Sequence, residues 1–97
     1  MTKILWEEYN KTKSVSIRNE ICKDYFGVAK SKAKLYYKSL SEYLKTQYDY
    51  FDILCYAYFG LINAIESYEN RDEPYFIFYA DKIIDKKIKE LIEYAKH

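Results

Sequence analysis

Three residues punctuate this chain of 97: Gly27, Gly60 and Pro74 are its only glycines and its only proline. So few turn formers leave room for few turns, and the segments between them are long. Apolar residues recur there at helical spacing, as in Ile53, Leu54, Ala57, Leu61, Ala64 and Ile65, and again in Phe76, Ala80, Ile83, Ile84, Ile88, Leu91 and Ala95. Strand-type alternation is weak. The expectation is an all-α protein: a compact bundle of about four helices in a single domain spanning residues 1–97. Gly60 then stands out, because a glycine inside a helix costs about 1 kcal/mol relative to alanine. Close approach of a neighbouring helix would account for it.

The helix boundaries follow from capping chemistry. A first helix is expected from about Lys3 to Asn10, with Thr2 as N-cap and Ile4, Leu5, Trp6 and Tyr9 as apolar contacts. The polar stretch from Lys11 to Ser16 carries two serines suited to capping a second helix, from about Ser16 to Tyr37. Gly27 lies in its middle and predicts a kink or a close packing partner. Ser39 to Tyr48 reads equally as a short helix or a loop. Asp49, with Asp52 three residues on, opens the next helix, which runs to about Tyr68. The charged run Glu69 to Glu73 forms a turn, and Pro74 fits the first position of the last helix, where its missing N–H is harmless.

Composition excludes several functions. The one histidine is the terminal His97, so no Ser/His/Asp or Cys/His arrangement can be assembled. Cys22 and Cys55 lack the spaced partners of a zinc site and read as small apolar residues in a reducing compartment. There is no phosphate-binding glycine loop and no apolar run long enough for a membrane. Asp81 and Asp85 read as an exposed like-charged pair. A cytoplasmic protein that is not an enzyme, without cofactor or metal, is expected. Thirteen tyrosines supply rings that pack inward with wet hydroxyls. Charge is uneven: residues 1–48 carry ten Lys/Arg against five Asp/Glu, and residues 49–97 carry six against ten. The basic excess is densest around Lys23, Lys30, Lys32, Lys34 and Lys38, which reads as a solvated helix face or as a strip that follows a phosphate backbone.

The stretch from Phe51 to Ile92 resembles region two of bacterial sigma factors, in particular the flagellar and sporulation branch. Asp52, Ile53 and Leu54 match that family's acidic residue followed by Leu-Ile. Gly60, Leu61, Ala64, Ile65, Tyr68 and Glu69 match its Gly-Leu-x-x-Ala-Ile-x-x-Phe-Asp, with Tyr for Phe and Glu for Asp. Phe76, Tyr79, Ala80, Ile84 and Ile88 match the segment after the turn. Upstream, LWEEY from Leu5 to Tyr9 and the run IRNEICKDYFGVAKSKA resemble the family's opening helices, so the resemblance covers nearly the whole chain.

That resemblance implies a transcription-initiation module that binds the clamp coiled coil of core RNA polymerase through Asp52, Tyr56, Leu61, Asn63 and Ile65. It further implies contact with the promoter minus-ten element through Tyr75, Phe78, Tyr79, Lys82 and Lys86, with aromatic stacking on a displaced strand. Phe76 is expected in the core, and Tyr75 and Phe78 on the surface. Departures from the pattern are clear. Cys55, Tyr56 and Tyr58 stand where the family has polar residues. Lys82 and Ile83 stand where its duplex-opening aromatic pair belongs, Phe78 replaces a threonine, and Asp85 replaces an arginine. Either base recognition differs, or melting has been lost. The second case leaves a protein-binding helical regulator, a decoy or anti-activator. The family's upstream-reading region four has no counterpart before His97. The chain is therefore expected to be an excised domain or a stand-alone module that relies on a separate region-four-type protein.

Overall fold

The computed structural model describes residues 2–68 and 73–96, and among them every regular element is helical. Five helices follow in order: α1 (Thr2–Thr12), α2 (Val15–Ser39), α3 (Glu42–Gln47), α4 (Tyr50–Ser67) and α5 (Glu73–Lys96). The ambiguous stretch after Ser39 is thus a short helix, giving five where about four were expected. The caps fall where short polar side chains precede apolar periodicity. Ser14 Oγ accepts from the Ile17 amide at 3.4 Å, and Ser41 Oγ accepts from the Leu44 amide at 3.2 Å. Asp49 and Asp52 exchange side-chain-to-amide bonds at 2.9 Å each, a reciprocal box that opens α4. Thr2, expected as a cap, is itself the first helical residue, and α5 begins one residue before Pro74. Residues 69–72 of the expected charged turn lie outside the described residues.

Three long helices make the core. Arg18 against Glu66, Phe26 against Tyr58 and Tyr37 against Tyr50 show α2 and α4 running antiparallel. Tyr68 against Phe76 and Gly60 against Ile84 show the same for α4 and α5. Tyr25 against Phe76 and Tyr36 against Asp85 show α2 and α5 parallel. At one end α1 brings Trp6 into the bundle. There Trp6, Tyr25 and Tyr68 surround the fully buried Phe76, with ring centroids 5.0, 4.8 and 5.1 Å away. Edge-on packing of this kind suits the aromatic quadrupole. At the other end α3 turns Leu44 inward.

The glycines have opposite explanations. A Cβ on Gly60 would sit 2.9 Å from the Ile84 Cα and 3.3 Å from its amide nitrogen. Backbone cannot yield as a flexible side chain can, so only glycine lets α4 come this close to α5. A Cβ on Gly27 would meet nothing within 4 Å, and α2 runs through it unbroken, so the expected packing partner is absent. Gly60→Ala should therefore destabilise the protein by roughly 1–3 kcal/mol, in the range of overpacked cores. Gly27→Ala should stabilise it by about 1 kcal/mol through helix propensity. Urea unfolding of both variants checks the opposite signs.

Candidate partner and nucleic-acid surfaces

Helix α4 has only two charged residues, Asp52 and Glu66, each within a few residues of an end. Its inner face is Ile53, Ala57, Gly60, Leu61, Ala64 and Ile65. Its outer face is apolar too. Phe51 is 69% exposed and Phe59 55% exposed, with Cys55 between them at four-residue spacing and Tyr56 edge-on to Phe59 at 6.0 Å. Asp52 and Asn63, also exposed, flank this stripe.

Five residues were expected to face a polymerase, and the structure divides them. Asp52, Tyr56 and Asn63 are on the outer face of α4. Leu61 and Ile65 are 0% and 1% exposed, packed in the core with α5, and they cannot meet a partner. The Gly60 contact fixes this outcome: it brings their side of α4 against α5. Cys55 also departs from expectation, being exposed while Cys22 is buried. Burial pushes the Cys22 thiol above its ordinary value, against the lowering effect of its hydrogen bond with Tyr58. That makes it an inert packing residue.

Of the residues expected to meet DNA, Tyr75 and Phe78 are 61% and 67% exposed on the outer side of α5, and Lys82 and Lys86 continue that side toward the C-terminus. Tyr79 is half-buried. Its hydroxyl shares a 2.6 Å hydrogen bond with Ser67 Oγ, and its ring is tilted against Tyr68 at 5.2 Å. One side of that ring is already occupied within the bundle.

Asp81 and Asp85 are not an exposed like-charged pair. Lys32 Nζ lies 2.9 Å from Asp81 and 3.3 Å from Asp85, and the Tyr36 hydroxyl donates to Asp85 at 2.9 Å. One lysine and one phenol from α2 thereby hold two carboxylates one turn apart on α5. Burial works against the Lys32 charge, but its bonds to the two aspartates overcome that and raise its pKa. Burial, then the bond to Asp85, pushes Tyr36 up to about 12. This cluster has no local signature in the sequence. Lys32 with Tyr36 and Asp81 with Asp85 each sit at four-residue spacing, but nothing local pairs the two sets.

Among the described residues, no group of three or more His, Cys, Asp or Glu side chains is placed to hold a metal ion, and no helix is long and apolar enough to cross a membrane. Comparison with family models, with curated proteins and with solved structures gives no match for this chain.

The Tyr36 shift has a definite sign. The folded protein holds this proton more tightly than the unfolded chain, whose tyrosines titrate near 10. The stabilising effect is complete below about pH 10 and lost as pH rises toward about 12. Tyr36→Phe should be less stable than the parent at pH 8, and should lose less additional stability between pH 9 and 11. Thermal melts across that range check both.

Proposed function

We propose that this chain is a transcription-initiation module of the sigma region-two type, binding core RNA polymerase through the outer face of α4. The observation that carries the reading is the uncovered stripe of Phe51, Cys55, Tyr56 and Phe59, flanked by Asp52 and Asn63. An exposed apolar stripe with a polar border is the form of a protein-binding surface, and aromatic residues dominate binding energy at such surfaces. It occupies the segment that resembles the polymerase-contacting part of the family. Leu61 and Ile65 support it from beneath, as core. A second contact is proposed on α5, where Tyr75 and Phe78 offer free rings and Lys82 and Lys86 offer charge to a displaced minus-ten strand. Upstream promoter recognition is then the task of a region-four-type unit outside these residues. Such a protein works in the cytoplasm and performs no catalytic step of its own.

Co-elution with core RNA polymerase on a sizing column tests the proposal. Asp52 is a poor probe, since removing it opens the cap of α4. Phe59→Asp and Tyr56→Glu alter exposed side chains and should leave the helical circular dichroism unchanged. The parent should co-elute, and both variants should lose at least tenfold in affinity. A folded parent that does not co-elute would overturn the proposal. Fluorescence anisotropy with a single-stranded minus-ten oligonucleotide separates the α5 contact. Tyr75→Ala and Phe78→Ala should each cost about 1–3 kcal/mol if their rings stack on bases. Polymerase binding with no strand binding would leave the second reading, a protein-binding regulator. Lys82 and Ile83, at the positions where the resemblance calls for an aromatic pair, favour that outcome.

A further inference from the structure

Gly27 is unexplained by the fold. Its φ is not positive, it lies inside a 25-residue helix, and no atom of a neighbouring element comes within 4 Å of the place a Cβ would take. Where Gly60 admits a helix of this protein, Gly27 admits nothing of it. It does have a setting. It is exposed, and Lys30, Ser31, Lys34 and Lys38, also exposed, continue its face of α2 at offsets of three, four, seven and eleven residues. The buried Ala29 and Ala33 lie on the other side.

The lysines of this row are uncompensated. Lys30, Lys34 and Lys38 hold no ion pair and no hydrogen bond among the described residues. Lys32, one residue off the row, is fully engaged with Asp81 and Asp85. The row has clear ends. Before Gly27 the face is mixed, with Glu20 paired to Lys23 at 3.1 Å and Asp24 adding a second acid. After Lys38 the helix stops. The footprint is therefore about 16 Å long, with a cation at every helical turn after Gly27.

We propose that the outer face of α2 from Gly27 to Lys38 is a sequence-independent docking surface for the phosphate backbone of duplex DNA. Charge decides the sign of the partner, and the missing Cβ decides how near its backbone can come. The absence of apolar anchors selects nucleic acid over an acidic protein. Protein interfaces bury aromatic and aliphatic centres and are depleted in lysine, whereas DNA interfaces are polar and strongly positive. The one exposed apolar neighbour, Leu35, lines a different groove with Lys32, Tyr36, Ser39 and Asp85, toward α5. Contacts of this type position a protein on DNA without reading bases. The inference stands on these residues alone and does not depend on polymerase binding.

The test is fluorescence anisotropy of the full chain with a labelled 20-base-pair duplex of arbitrary sequence, between 50 and 200 mM salt. Three neutralised phosphates correspond to a slope of about −2.7 in log K against log salt. The triple variant K30Q/K34Q/K38Q should therefore give a slope shallower than the parent's by about 2.7, and each single variant by about 0.9. Gly27→Leu separates docking from folding: its thermal midpoint should rise, while duplex binding weakens at least tenfold. No duplex binding by the parent, an unchanged slope in the triple variant, or undiminished binding by Gly27→Leu would each overturn the proposal. So would displacement of the duplex by poly-glutamate as effectively as by unlabelled duplex, which would assign the face to acidic protein.

Discussion

The close passage of α4 over α5 at Gly60 is the constraint on which the remaining geometry depends. With the Ile84 backbone seated where a side chain would be, Leu61, Ala64 and Ile65 come into the same buried layer as Ile84 and Ile88. Other inward positions are small for the same reason: Ala29 and Ala33 on α2, Ala57 on α4 and Ala80 on α5 are all fully or almost fully buried. Helices packed through small residues approach closely and bury little side-chain volume each. Between them Ile21, Ile53, Leu61, Ile65, Ile84 and Ile88 fill the length of the core, and the buried aromatic rings Trp6, Tyr25, Tyr68 and Phe76 pack together at one end. Rotation of α4 about its axis is fixed by Gly60, and that orients Phe51, Tyr56 and Phe59 outward.

The polar contacts alter the electrostatic reading of the chain. By sequence its second half carries the acidic excess, and Asp85 in particular argues against an anionic ligand. In the fold much of that acidity is consumed internally. Asp81 and Asp85 share Lys32, Glu66 pairs with Arg18 at 2.8 Å, and Asp49 and Asp52 face amides at the positive end of α4. On the outer side of α5 the exposed lysines Lys82, Lys86 and Lys89 are then less opposed than the residue count suggests.

Much of this is legible in the sequence. Helical periodicity marks the long elements, Asp49 and Asp52 announce the start of α4, and Phe76 reads as core with Tyr75 and Phe78 outside. Those features are local, set by spacing within one helix. The errors were relational. Leu61 and Ile65 belong to a helix that is apolar nearly all round, so periodicity cannot say which apolar stripe faces inward. Phe51, Cys55 and Phe59 form a second apolar stripe at four-residue spacing, and spacing alone does not rank the two stripes. Residue type alone puts Cys55 inside, whereas its stripe decides its exposure. The Lys32 cluster joins residues 49 or more apart, and no local signal pairs them.

The exposed rings raise a question of necessity. Phe51, Phe59, Tyr75 and Phe78 leave most of their surface in water, so they contribute little to the burial that holds the bundle together. With the core already filled by Ile21, Ile53, Leu61, Ile65, Phe76, Ile84 and Ile88, polar side chains at those exposed positions would be compatible with folding. Exposed aromatic clusters bring a solubility cost and a risk of association. Burial therefore does not account for these rings on two adjacent helices, and the proposed docking role would. The close α4–α5 contact at Gly60 lies inside the bundle, and the free aromatic area of Phe51, Phe59, Tyr75 and Phe78 lies outside it.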